Sequence, residues 1–283
     1  MTNELRHTPK LRLLSAFLAA AMTLTTLPAA AFAADVTDYE LAVNGKRVTS
    51  ANATDILDDG KASYEDATRT LTLSGDISVT DNAVNPSGKQ LTVTGKSTVT
   101  GAQRDRYAGF YSGGEPIKVA ADADITLDTF GFGINAMGAD ISGNMKICNA
   151  EYGVNGMGAT VESGGKLIIQ NAENAVSSYG AKVHGTLEID KAEKAVDAGG
   201  VTVYDGGVVT ITGADSGLNG GSTVDGGNLS VSAETCIDNG AVTFTRGTLK
   251  LDSTSGNFIK LGESNLTVNA PNFWYRTAKD GAW

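Results

Sequence analysis

Aromatic rings and guanidinium groups concentrate in one short stretch, QRDRYAGFYSGG, from Gln103 to Gly114. Arg104, Arg106, Tyr107, Phe110 and Tyr111 all fall within it. Such rings take the flat faces of sugars or apolar patches of proteins, and a neighbouring cation adds attraction to a π face. These five residues are therefore the leading candidates for ligand binding. The competing reading is a loop folded down over the body of the protein, its rings packed inward. Asp122, Asp124 and Asp128 follow closely, and Asp122 and Asp124 share a side if that run is a strand. Oxygen ligands of this kind suit calcium, so Asp122 and Asp124 are candidate metal ligands. Solvated turn and strand edges explain them as well.

Catalytic signals are thin. Of the two histidines, His7 lies in a leader-like segment, which leaves His184. Val183 should point inward, so Lys182 and His184 should share the outer side. A triad would also need a nucleophile and an acid brought together in space. Glycoside hydrolysis needs two carboxyl groups about 5 to 9.5 Å apart. Stacked coils can place two carboxyls so: Glu188 and Asp190 on one strand, or Asp205 and Asp225 on neighbouring turns. A chain with 32 acidic residues makes such pairs by chance. Uronan elimination would need a basic row, and Lys166, Lys182, Lys191, Lys194 and Arg246 are scattered. No glycine loop followed by Lys and Ser or Thr is present to cradle phosphate. No cofactor is implied beyond calcium, and no catalytic residue is assigned.

The elements that must position these residues are repeats of about 21 residues, running from Phe132 to about Asn269. One apolar marker recurs at Ile134, Val154, Val176, Val196, Leu218, Ile237 and Phe258. A second recurs at Ile141, Val161, Val183, Val203, Val224 and Phe244. A third is a pair at alternate positions: Met145 and Ile147, Leu167 and Ile169, Leu187 and Ile189, Val209 and Ile211, Leu229 and Val231, Leu249 and Leu251. Alternation is strand spacing, and Gly, Asn and Asp fill the gaps as turns require. Three short strands per turn of chain, with no helical stripe, describe an all-β, parallel β-helix. Its coils are unstable alone and are stabilised by stacking. The hand is right by the crossover rule. An antiparallel meander is the rival.

The residue after the first marker forms a polar row: Asn135, Asn155, Ser177, Asp197, Asn219 and Asp238. Stacked about 4.8 Å apart, these side chains would bond neighbouring turns as a ladder. The sharper alternative is an exposed ligand or cation row. Cys148 and Cys236 would lie about four coils apart, near 19 Å, while a disulfide needs Cα atoms within about 7 Å. Both thiols are expected free.

Residues 1–33 read as a secretory leader. Arg6, Lys10 and Arg12 precede an apolar run, and Ala31-Phe32-Ala33 fits cleavage near Ala33. The mature chain is expected outside the cytoplasm, secreted or at the cell surface, with no membrane insertion. Losing three basic residues and one acidic one moves the formal charge from −10 to −12. That disfavours nucleic acid and anionic partners, although a local cationic cleft could hide in the average. Residues 34–70 should form a cap. Leu41 and Val43 lead into an Asn44-Gly45 hairpin turn, Lys46 to Thr49 return, and Asp55 to Gly60 make a turn. Residues 71–131 are early, irregular coils, interrupted by the loop 103–114. Residues 132–269 are regular coils, and 270–283, with Phe273, Trp274 and Tyr275, cap the end.

The phrase YELAVNGKRVTSANATDILDDGKASYEDATRTLTLSG, Tyr39 to Gly75, resembles the opening of repeat-containing secreted proteins of gut-type bacteria that are labelled carbohydrate-binding-domain-containing. The ending APNFWYRTAKDGAW looks like their exit strand. That group is similar to pectin-lyase-like right-handed β-helices. The resemblance implies this fold, an extracellular place and sugar binding; no lyase catalytic residue can be matched here. The expected function is a non-catalytic glycan-binding or adhesive surface module, with polysaccharide or surface glycan as partner. The alternative is a polysaccharide lyase or glycoside hydrolase.

Overall fold

The apolar columns of the sequence become the interior of a stack. The computed structural model describes residues 36–259 and 265–269. The leader-like segment and the aromatic ending 270–283 lie outside the described residues. About two-thirds of the chain is strand, wound into a parallel β-solenoid of about nine turns with a repeat of about 22 residues. Among the described residues no helix is long and apolar enough to cross a membrane.

The N-terminal end is antiparallel. Strands β1 (Asp38–Val43) and β2 (Lys46–Thr49) form a hairpin. Asn44 and Gly45 turn it with φ of 49° and 70°, the left-handed pair that a two-residue hairpin needs. Strand β3 (Ala62–Glu65) pairs antiparallel with β4 (Thr70–Val79), and β1 pairs antiparallel with β5 (Val84–Asn85). Between β2 and β3, the Asp55 carboxylate accepts the backbone N–H groups of Asp59 and Gly60 and closes the expected turn.

The strands from β4 onward pair with one another in parallel. Strands β6 (Leu91–Gly101), β7 (Ala108–Ser112), β8 (Ile117–Val119) and β9 (Asp124–Asp128) build the early coils. Next come β10 (Phe132–Ala136), β11 (Ala139–Ile141), β12 (Asn144–Cys148), β13 (Tyr152–Gly156) and β14 (Ala159–Val161). These are three short strands per coil, as expected. Later strands run round a corner without a break: β15 (Lys166–Val176), β17 (Thr186–Ala198) and β19 (Val208–Gly220), separated by β16 (Ala181–Val183) and β18 (Val201–Tyr204). Strands β20 (Ser222–Ile237), β21 (Ala241–Ile259) and β22 (Asn265–Val268) follow and are the last strands among the described residues.

The corner is made by one left-handed residue followed by a buried alanine. Asn149, Asn171, Lys191 and Gly213 have φ between 53° and 65°, and Ala150, Ala172, Ala192 and Ala214 follow them into the interior. Asn171 Nδ2 donates to Asn149 Oδ1 at 3.2 Å, and Asn149 Nδ2 donates to Asp128 Oδ1 at 2.7 Å. This second polar ladder supports the corner where the asparagines adopt the unusual backbone angle.

The register bears out the second and third columns rung for rung. The first column holds from Ile134 to Ile237, but its last rung is Ile259, not Phe258. Strand β21 bulges there: Ala233 faces Ser253 whereas Thr235 faces Asn257, so two extra residues move the apolar position on. Gly256, at φ 90°, lies in that bulge. All three columns also extend upward, through Phe110 above Ile134, Val119 above Ile141, and Ile125 with Leu127 above Met145 and Ile147.

Candidate ligand groove

The aromatic and cationic stretch does not form an exposed platform. Residues 108–112, expected as loop, are strand β7, because Phe110 occupies the first apolar column directly above Ile134. Phe110 is fully buried, which removes it as a ligand contact. Tyr107 is half-buried against the core, and the Arg106 guanidinium lies 5.3 Å from its ring centre. Arg104 reaches over two coils, donating to the Ala150 carbonyl at 3.1 Å and standing 3.6 Å from the Glu173 carboxylate. The backbone of Arg104 to Arg106 lies directly on Gly131, where an added Cβ would come within 3.0 Å of it. The segment is therefore folded down over the coil. Of the three rings only Tyr111 is exposed, above Asn135 at the head of the polar row, while Arg104 and Arg106 lie along the surface of the folded-down segment.

The polar row behaves as a ladder. Ser177 Oγ donates to Asn155 Oδ1 at 3.1 Å, and Asn219 Nδ2 donates to Asp197 Oδ1 at 2.8 Å. Asn135 stacks on Asn155, and the Asp238 N–H donates to the Leu218 carbonyl. The acids proposed for calcium turn to separate partners. Asp122 accepts from Thr94, Asp124 stands 3.4 Å from Lys96 Nζ, and Asp128 accepts from Asn149. Among the described residues no three His, Cys, Asp or Glu side chains are grouped to hold a metal.

The carboxyl pairs considered for hydrolysis are also engaged. Glu188 pairs with Lys166 at 2.8 Å, and Asp190 accepts from Thr212. Asp205 and Asp225 grip one cation, Arg246, whose pKa is raised by its hydrogen bond to Asp225 and by both charges. His184 stacks flat on Tyr204, ring centres 4.3 Å apart. Both cysteines are free, as expected, and burial raises both thiols: Cys148 modestly, Cys236 to about 11.

A different feature forms a site. Three successive coils carry the same short phrase ahead of their second face: Met137-Gly138-Ala139, Met157-Gly158-Ala159 and Tyr179-Gly180-Ala181. The register puts alanine on alanine through β11, β14 and β16, so the glycines and the large residues stack too. The alanines are buried, which leaves a glycine column with no side chains on the outside. Coils pack there backbone on backbone, with the Ala139, Ala159 and Ala181 N–H groups donating to the Gly158, Gly180 and Gly200 carbonyls at 3.0 to 3.2 Å. On one flank stand Met137 and Met157, each 45% exposed, and Tyr179, 69% exposed. The other flank is the outward row of the second face: Asp140, Thr160 and Lys182.

A bare floor between two side-chain rows is a groove. Its volume is about 250 Å³, and Pro116 closes its first end. At the next coil Gly199 replaces the large residue, and the wall stops. The groove thus spans about three coils of roughly 4.8 Å. It offers an apolar wall with one free aromatic face opposite a row of hydrogen-bonding and charged groups. That is a binding chemistry, one flank for C–H faces and the other for hydroxyls. A second hollow of about 440 Å³ adjoins it, shares Asp140 and is lined by Lys118, Ser142 and Glu162.

Of the residues singled out in the sequence, Lys182 is in the groove; the Arg104 to Tyr111 set, His184 and the Asp122–Asp124 pair do not line it. The missed signal was the thrice-repeated phrase of a large apolar residue, glycine and alanine. No protein-family model, curated protein or solved structure matches the chain.

Proposed function

We propose that the protein is a non-catalytic binding module, secreted or held at the cell surface, that lays an extended glycan along the Met137–Tyr179 groove. The observation that carries this is the exposed row Met137, Met157 and Tyr179, set across a glycine floor from Asp140, Thr160 and Lys182. Large apolar side chains standing in water on consecutive rungs mark a contact surface. A pyranose is close to one coil in length, so successive sugars would meet successive rungs. Sugars present C–H faces to Tyr179 and the methionines and hydroxyls to the polar row. The resemblance of Tyr39 to Gly75 to carbohydrate-binding repeat proteins agrees with this reading. The stack itself is the rigid scaffold, so little ordering energy would be lost on binding.

The test is a glycan array followed by titration calorimetry on the best ligand, using the full mature chain. A Met157→Ala, Tyr179→Ala double variant is expected to weaken binding at least tenfold, because it removes the wall. A Tyr107→Ala, Tyr111→Ala variant is expected to bind as the wild type does. Wild-type affinity in the first variant, or its loss only in the second, would move the site away from the groove.

A further inference from the structure

The groove carries a cation that no carboxylate among the described residues pairs with. Nine of the described lysines and arginines sit within 4.0 Å of a carboxylate. Arg69 donates to the Gln90 carbonyl, Arg106 lies by the Tyr107 ring, and Lys146 bonds Cys148. Lys118, Lys182 and Lys191 have neither an ion pair nor a hydrogen bond among the described residues. In a chain of net charge −10, where acids outnumber bases, an unpaired lysine is the less common outcome. Lys182 lines the groove, and Lys118 lines the hollow that adjoins it.

The surroundings of Lys182 leave it free. Thr160 is its neighbour one coil before and Thr202 one coil after, both uncharged. Asp140 is two rungs away, about 10 Å by strand spacing. Glu162 lies one coil back and two residues along, and forms no ion pair with Lys182 within 4.0 Å. Tyr179 stands three residues before it, on the opposite flank. A sugar seated on the Tyr179 ring would therefore present its ring substituents to the ammonium group. The negative charge of the whole molecule does not cancel this, because charges beyond about 10 Å are screened at ordinary salt.

We infer that the groove is selective for glycans bearing an anionic substituent, a carboxylate or a sulfate, and that Lys182 is the residue that reads it. This rests on the groove being a glycan site. Lys182 acts at the far end of the groove from Pro116, so the anionic sugar is the one that occupies the Tyr179 rung.

The experiment measures affinities of the full mature chain for three oligosaccharides of equal length: a neutral hexose oligomer, its uronic-acid counterpart and its sulfated counterpart. Wild type, Lys182→Gln and Lys191→Gln are compared at low and high salt. One new charge-assisted contact corresponds to a preference of roughly tenfold for an anionic chain. The preference should shrink as salt rises, be lost in Lys182→Gln and persist in Lys191→Gln. Whichever anionic chain wins identifies the substituent. Equal binding of neutral and anionic chains would overturn the selectivity and leave the groove reading standing. A preference that survives Lys182→Gln would overturn the role of Lys182. If Tyr179→Ala changes no affinity in any series, the groove itself is the wrong site and the inference falls with it.

Discussion

Replacing Gly180 by alanine tests the stack where two coils pack closely. Two costs apply there. Gly180 has φ 76°, a left-handed conformation that costs an L-residue about 1 to 2 kcal/mol. Its added Cβ would also lie 1.9 Å from the Gly200 carbonyl oxygen, far inside the contact range that begins at 3.4 Å. Relief requires the two coils to part by more than an ångström. That stretches the Ala181 N–H to Gly200 carbonyl bond, now 3.0 Å, and shifts overpacked backbone at about 1 to 3 kcal/mol. The sum is a loss of about 2 to 5 kcal/mol. Two companion variants separate the terms. Gly164 has φ 84° with nothing within 4 Å of an added Cβ, so Gly164→Ala should lose only the conformational cost, about 1 to 2 kcal/mol. Gly221 has neither burden and should be neutral or gain up to about 1 kcal/mol through the unfolded chain. Urea unfolding followed by far-ultraviolet circular dichroism ranks the three. Hydrogen exchange should show the Gly180→Ala damage concentrated in the adjoining coils, since each coil touches only its neighbours. Equal midpoints for Gly180→Ala and Gly221→Ala would mean that carbonyls do not rest on this glycine column, and the register of the second face would be wrong.

Other outcomes follow from the same register. Phe110→Ala should cost about 3 to 5 kcal/mol, whereas Tyr111→Ala should stay within about 1 kcal/mol; thermal melts of the pair would distinguish core from surface. Cys236 should resist iodoacetamide at pH 8 until the protein is unfolded, and mass spectrometry of labelled peptides checks it. Its thiol is held near 11 in the fold against an ordinary 9.0, so the proton is bound more tightly in the native state. Stability from this group is complete below pH 9 and declines between pH 9 and 11, by up to roughly 3 kcal/mol. Cys236→Ala should remove that decline, because no thiol is left to ionise. Chemical denaturation at pH 8 and pH 10.5 would detect it.

The coil was legible in the sequence because burial repeats. Every rung of the second and third columns is a β-branched, aliphatic or aromatic residue facing the same interior, so chemistry and register carry one signal. Ends and bulges were less legible. Phe258 and Ile259 are both apolar and adjacent, and only the two extra residues in β21 decide which one continues the column. Phe110 misled for a related reason: among arginines and tyrosines it resembled a ligand contact, but its place above Ile134 is fixed by a partner strand far along the chain. The asparagine corner escaped notice because Asn149 and Asn171 give way to Lys191 and Gly213, which share a backbone angle rather than a side-chain type.

The groove was hidden by the same logic that exposed the core. Reading a solenoid by its apolar columns assigns every large apolar residue to the interior, yet Met137, Met157 and Tyr179 interrupt the inward rows and stand outside. The glycines after Met157 and Tyr179 are required by the coil-to-coil contact, and with Gly138 they clear the floor that makes the row a wall. One constraint thus produces both results: tight stacking demands a residue without a side chain, and the absent side chain opens a channel along the stack. Coils that keep the glycine but lose the large neighbour, as at Gly199-Gly200, keep the packing and lose the groove. A Gly199→Met variant separates these two roles. An added Cβ there would meet the Tyr179 and Gly180 backbone at 2.1 to 2.3 Å, so it should destabilise the stack without lengthening the wall. A stable Gly199→Met protein that binds a longer glycan would show that the wall can be extended, and that the end of the groove is not set by packing.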